Sequence, residues 1–194
     1  METAEYANLV NNINVIDSEF RNFPRQEASN PENQRKLRAC ISLMHSEFET
    51  YFELMGSKII STYSTTMTKK QKSKLGFTLS IYNSQNYDGQ ADDINVRINN
   101  CIAVYKSALV QNNGIKQKDI LKILLPIGIS LLQIDNTWLT SMNSFGSLRG
   151  ELIHKNLNQI TKLIGYQYID ETVYRIIIPG TKKLDELFLR NYPI

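Results

Sequence analysis

Between residues 37 and 59, apolar side chains recur at Leu37, Ile41, Met44, Phe48, Tyr51, Met55 and Ile59, in steps of three and four. That spacing matches the α-helical turn and predicts a central core helix of about seven turns. A second stripe, Arg38, Ser42, His45 and Glu49, keeps the same spacing. It lies about a quarter turn round the helix, so it borders the buried face. Residues 1 to 22 repeat the apolar pattern at Tyr6, Leu9, Val10, Ile13, Ile16 and Phe20 and predict an amphipathic N-terminal helix. Pro24 and Pro31, with Ser29 and Asn30, break the chain and supply the cap of the core helix.

Beyond Ile59 the periodicity fades. The stretch STYSTTMTKKQKSK holds the dense basic cluster Lys69, Lys70, Lys72 and Lys74, and the polar NSQNYDGQADD follows it. Two short elements and loops are expected there, an irregular insertion in the bundle. A helix resumes with Asp92 or Asp93 as cap and Ile94, Ile98, Cys101, Ile102, Tyr105 and Leu109 on one face, and Asn113 and Gly114 end it. The run KQKDILKILL predicts a short helix stopped at Pro126, and Asp135 caps a further helix with Trp138, Met142 and Phe145 inward. In the tail, VYRIII leans towards β structure, Pro179 and Gly180 close it, and TKKLDELFLRNY forms a terminal helix. The sum is a mainly α fold, a helical bundle with long core helices and one irregular insertion, expected as a single domain over residues 1–194.

Composition narrows the function classes. At 194 residues the chain can bury a core without disulfide or metal staples. Its 42% hydrophobic and 21% charged residues are ordinary for a globular protein, and a net charge of +3 permits an anionic partner without requiring one. Cys40 and Cys101 fall in helical segments with no CxxC or CxH neighbour, which points to two buried, reduced thiols. No window approaches the ~18 apolar residues of a membrane span, and the first residues do not read as a secretory signal. A cytoplasmic protein with no membrane attachment is the expectation. Two histidines far apart and scattered carboxylates offer no metal-ligand spacing, and neither GxxxxGK[ST] nor GxGxxG is present. No metal and no cofactor are therefore expected. The segment SFGSL is not the GxSxG nucleophile elbow.

What remains is SFGSLRGELIHKN, residues 144–156, with Arg149 and His154. An imidazole, with an ordinary pKa near ~6.5, can move a proton at neutral pH, and a guanidinium can grip a phosphate with its planar fork. Together they can support phosphodiester cleavage without metal, because RNA supplies its own 2′-hydroxyl nucleophile. On one continuous helix, however, five residues displace two positions by roughly 140° and ~7.5 Å. Either a helix starts between them, which Gly146 and Gly150 would allow, or two copies meet and build a composite cleft. Spacing alone also has a plain reading, since an arginine and a histidine often sit near a helix start without a shared task. A histidine on a core-helix flank such as His45 is usually structural, and a lysine cluster is most often a solvated loop.

At these residues the chain resembles the HEPN superfamily (higher eukaryotes and prokaryotes nucleotide-binding domains), whose hallmark is an arginine, then four to six intervening residues, then a histidine, beginning a late helix. Here that motif is Arg149-Gly-Glu-Leu-Ile-His154. The context, LLPIGI and then TWLTSMNSFGSLRGELIHKN, is similar to the RiboL-PSP type. Upstream, RACISLMHSEFETYFELM is similar to that group's core helix, with Glu49 at the acidic position and Tyr51 two residues later. By element order the resemblance spans roughly residues 32–190, and its specific part is 126–156. Many active relatives carry a polar residue directly after the arginine, where this chain has Gly150, with Glu151 next to it as a substitute polar group.

The resemblance implies a metal-independent endoribonuclease acting as a homodimer, with Arg149 and His154 of both copies facing one cleft. Cleavage would leave a 2′,3′-cyclic phosphate and a 5′-hydroxyl. Relatives commonly act as toxins or as effectors of prokaryotic defence systems, restrained by an antitoxin or another partner protein. Glu49, Glu151, Arg38, His45 and Ser147 are the supporting candidates, and Lys155, Lys69, Lys70, Lys72 and Lys74 the candidates for RNA backbone contacts. The alternative is a catalytically silent HEPN-like module whose Arg149 and His154 only brace a dimer interface. A small-molecule or nucleotide-binding helical protein is a third class, carried by the superfamily's name alone.

Overall fold

Asn30 accepts a hydrogen bond from the Glu32 amide at 2.9 Å, and Pro31 takes the first helical position. This start launches α2 (Pro31–Thr62), a helix of 32 residues. The computed structural model describes residues 2–63, 65–82, 93–154, 163–192 and 194, without the side chains of Ile153 and His154. Among them the elements are α1 (Ala4–Phe20), α2, α3 (Lys69–Tyr82), α4 (Ile94–Val110), α5 (Gln117–Leu124), α6 (Asn136–His154) and a π-helical stretch (Ile169–Ile177) that runs directly into α7 (Ile178–Asn191). No strand occurs among the described residues. The fold is an all-α bundle.

The apolar stripe of α2 is the axis of the core: Leu37, Ile41, Met44, Phe48, Tyr51, Met55 and Ile59 are all buried. Helices α1, α4, α5 and α6 pack against it. Gly56 lets α4 approach, since a Cβ there would stand 2.8 Å from both Leu109 Cδ2 and the Tyr105 hydroxyl. Asp93 caps α4 by accepting from the Asn95 amide. Asp135 caps α6 by accepting from the amides of Thr137 and Trp138 at 2.9 and 3.2 Å. Trp138, Met142 and Phe145 then point into the core, as their spacing implies.

The two ends of the chain are joined by a buried carboxylate. Asp185 on α7 accepts from the Thr3 amide (2.8 Å), the Thr3 hydroxyl (2.6 Å) and the Tyr51 hydroxyl (2.9 Å). Three donors satisfy a charge that would otherwise be costly to bury.

Three sequence expectations are corrected. VYRIII is helical, not β-leaning: Ile169, Val173 and Ile177 are buried at steps of four, and the Ile178 amide donates to the Val173 carbonyl five residues back. Burial of that stripe overrides the local preference of β-branched residues for strands. Pro179, which lacks an N–H, follows at once, so the helix changes register where a donor is missing. The lysine cluster opens a 14-residue helix, α3, and not a loop. Its cations sit at the end of a helix where the dipole disfavours them, and only Leu75, Gly76 and Leu79 are buried, so the local signal is weak and packing on α4 decides. Finally, no helix starts between Arg149 and His154. α6 begins at Asn136 and is continuous through both positions, so the motif does not open a helix.

Candidate functional site

His45 and Glu49, on the polar stripe of α2, lie near α6. His45 is buried, with only 2% of its surface exposed, and its ring lies on that of Phe145 from α6. One helical turn on, Glu49 places Oε2 3.9 Å from His45 Nδ1, short of a hydrogen bond. Arg149 comes from α6 and acts electrostatically on both: its charge lowers the pKa of His45 and opposes the rise in that of Glu49. A third wall comes from the connection between α4 and α5. There Gly146 allows α6 to lie close, because a Cβ at 146 would stand 3.1 Å from Lys116 Cγ and 3.3 Å from its amide nitrogen. Asn143 on α6 accepts from the Gln117 amide at 3.3 Å and ties the start of α5 to the same helix.

Between these elements opens a cavity of about 730 Å³. His45, Ser147, Arg149, Gly150 and Glu151 line it from one side, and Gln111, Asn113, Lys116, Lys118 and Asp119 from the other. Three cations, Lys116, Lys118 and Arg149, therefore face a common space with two carboxylates.

The polar groups here are not satisfied by one another. Arg149 Nε, His45 Nδ1, Glu49 Oε1, and Arg38 Nε and Nη1 are buried without a hydrogen-bond partner. Buried polar atoms in native proteins are nearly always paired, so these groups call for partners, such as water or a bound polar group, beyond the side chains around them. Burial, then the positive charges of Arg149 and Lys116, push the pKa of His45 down to about 4, so its imidazole is neutral across the physiological range. Glu49 moves the other way, raised by burial and by Glu53.

Of the residues anticipated from sequence, Arg149, His45, Ser147 and Glu151 line the cavity, and Glu49 adjoins His45. Arg38 belongs to the same unsatisfied stripe but is not among the lining residues. Lys69, Lys70, Lys72 and Lys74 lie on α3 and do not line it: Lys72 sits over the Tyr63 ring, 5.9 Å from its centroid, and Lys74 donates to Asn191. The backbone of His154 belongs to α6, while its side chain, and the whole of Lys155, lie outside the described residues. In the register of α6, positions 149 and 154 stand about 140° apart.

Sequence reading missed Lys116, Lys118, Asp119, Gln111 and Asn113. They precede Arg149 by thirty residues or more, and the only trace was the polar connector QNNGIKQKD. Among the described residues no group of three or more histidine, cysteine or acidic side chains is arranged to hold a metal, and no helix is long and apolar enough to cross a membrane.

No curated protein and no solved structure matches the chain. A family model described as RiboL-PSP-HEPN matches residues 4–189, from the first residue of α1 almost to the end of α7. With that match over nearly its whole length, the all-α chain belongs to the RiboL-PSP-HEPN family.

Proposed function

We propose that this protein is a metal-independent endoribonuclease that works as a homodimer. The observation that carries the reading is the Arg149 guanidinium, its Nε buried and unpartnered, beside a cavity that Lys116 and Lys118 also line. A phosphodiester is the ligand such a site suits. Its non-bridging oxygens would accept from Arg149 and take up the orphaned donor, and the lysines would hold the adjoining backbone by charge.

In the reaction the RNA 2′-oxygen attacks the adjacent phosphorus, the bond from phosphorus to O5′ breaks, and a 2′,3′-cyclic phosphate and a 5′-hydroxyl are left. Arg149 stabilises the charge that gathers on the non-bridging oxygens. Since α6 is continuous, His154 of the same copy is displaced by about 140° from Arg149, which favours a composite cleft in which His154 of a second copy donates the proton taken up by O5′. As the effector of a toxin or defence system, such an enzyme would be held in check by a partner protein. Membership of the family is what supports that role.

The test is cleavage of total cellular RNA in the presence of EDTA by the wild-type chain, Arg149→Ala and His154→Ala, each checked for fold and oligomeric state. Cleavage lost in both variants is the expected result. Absence of cleavage by the wild type would overturn the reading in favour of a silent interaction module. Cleavage surviving both substitutions would show that other residues do the chemistry.

A further inference from the structure

We propose that His45 is the residue that accepts the proton of the attacking 2′-hydroxyl, with Glu49 as its positioning residue. The inference rests on the ribonuclease reading and assigns a step that Arg149 and His154 leave open. A guanidinium is a poor base at neutral pH, and His154 is assigned to the leaving oxygen.

The first argument is accounting of hydrogen bonds. A histidine kept for packing in a helical core has its ring nitrogens satisfied. His45 has a buried Nδ1 with no partner, and its second nitrogen, Nε2, is not among the sealed atoms of the cluster. His45 lines the same cavity as Arg149. Packing alone would place an aromatic hydrocarbon on Phe145 at this position, at no cost in unsatisfied polar atoms.

The second argument is orientation. Glu49 lies one turn along α2, its Oε2 3.9 Å from His45 Nδ1, and its Oε1 is buried without a partner. A side-chain adjustment of about 1 Å would bring Oε2 within hydrogen-bond reach of Nδ1–H and give the orphaned nitrogen the carboxylate as its partner. That bond fixes the tautomer: the proton resides on Nδ1, and the lone pair is left on Nε2 to accept a proton. A carboxylate behind an imidazole in this manner both orients the base and stabilises the imidazolium formed when it takes a proton.

The third argument is charge. The groups facing His45 are Glu49 on α2, Arg149 on α6, and Lys116 near the start of α5, with Asp119 acting on Glu49. The cations keep the imidazole unprotonated and ready to accept before substrate enters. An incoming phosphodiester neutralises part of that positive field, so the basicity of the ring rises as the reacting group arrives. The step balances: the 2′-hydroxyl proton passes to Nε2 as its oxygen bonds to phosphorus, and O5′ leaves with a proton from His154 of a second copy. His45 then loses its proton to water and His154 takes one up from water, which returns both to their starting states.

The experiment uses a labelled RNA oligonucleotide and its 2′-O-methyl analogue, which cannot react. His45→Ala is expected to slow cleavage at least about 100-fold, the usual scale for losing a general base, while affinity for the analogue changes less than about threefold. Added imidazole should restore part of the lost rate, because the truncation opens a space for it beside the cavity. Glu49→Gln should lower the rate and move the acid limb of the pH profile, and His45→Gln serves in place of His45→Ala if the latter is unfolded. A wild-type chain that cleaves, with His45→Ala and His45→Gln cleaving at the same rate, would overturn the assignment and leave the ribonuclease reading intact. Loss of cleavage together with loss of analogue binding, and no response to imidazole, would also overturn it by showing a structural role. A wild-type chain that cleaves no RNA would overturn both.

Discussion

The rings of His45 and Phe145 lie nearly parallel, 29° between their planes and 6.4 Å between centroids, and so join α2 to α6 beside the cavity. Their contact ties the stability of the helix pair to the protonation of one imidazole. The folded-state pKa of His45 is about 4, below the ordinary 6.5, because burial and the Arg149 and Lys116 charges disfavour the cation. The unfolded chain therefore binds more protons between those two values, and stability falls as pH drops below 6.5 and through about 4. Urea midpoints measured at about pH 7 and about pH 5 should differ in that sense, and His45→Phe, which keeps the stack and removes the titration, should flatten the difference. An unchanged slope in the variant would assign the effect to other groups.

Gly150 follows Arg149 in the interior of α6, and a Cβ built there meets nothing within 4 Å. Gly150→Ala should stabilise the protein by about 0.5–1 kcal/mol, or raise the melting temperature by about 1–4 °C, since the glycine only adds freedom to the unfolded chain. Thermal melts followed by circular dichroism decide it. Destabilisation would mean that the helix is deformed at this position in solution.

Gly180 behaves in the opposite way. A Cβ at this position would lie 2.2 Å from Trp138 Cδ1, and that indole donates to Thr181 at 3.1 Å. Gly180→Ala must displace the largest buried ring of the core and break its hydrogen bond, so a loss of about 3 kcal/mol or more is expected from denaturant titration. A loss below about 1 kcal/mol would show that α7 can shift away from α6 without penalty.

Asp185 is fully buried and accepts from Thr3 twice and from Tyr51 once. Asp185→Asn replaces a charged acceptor by a group that must also place two donors, and should cost about 2–3 kcal/mol. Removing residues 1–3 should weaken the fold as well, by leaving the carboxylate with Tyr51 alone among these donors. Additive losses in the double variant would refute the coupling, because the two changes break the same contacts.

Much of the fold was legible because its helices carry their signals locally. The α2 stripe, the Asn30, Asp93 and Asp135 caps and the stop before Pro126 are short-range patterns of burial and backbone hydrogen bonding. Where local and tertiary preferences conflicted, the reading failed: VYRIII leaned towards β structure by propensity and became a π-helix because Ile169, Val173 and Ile177 bury together. Within the site, Arg149 was singled out by its pairing with His154 in a segment that resembles the HEPN motif, and His45 and Glu49 by a polar stripe at helical spacing beside the apolar one. Lys116, Lys118 and Asp119 were not, as nothing near them in the chain refers to Arg149.

Residue pattern alone was enough for α1, α2, α4, α5 and α6, for the caps at Asn30, Asp93 and Asp135, and for the apolar faces of these helices. These follow from periodicity and side-chain chemistry, which act over a few residues. Tertiary structure decided that α6 is continuous through Arg149 and His154, that His45 and Glu49 of α2 lie near α6, and that the α4–α5 connection closes the cavity. It also left Arg149, His45 and Glu49 together without partners. These outcomes depend on how close helices can pack, which glycines at 56 and 146 permit and which is set by residues remote in sequence.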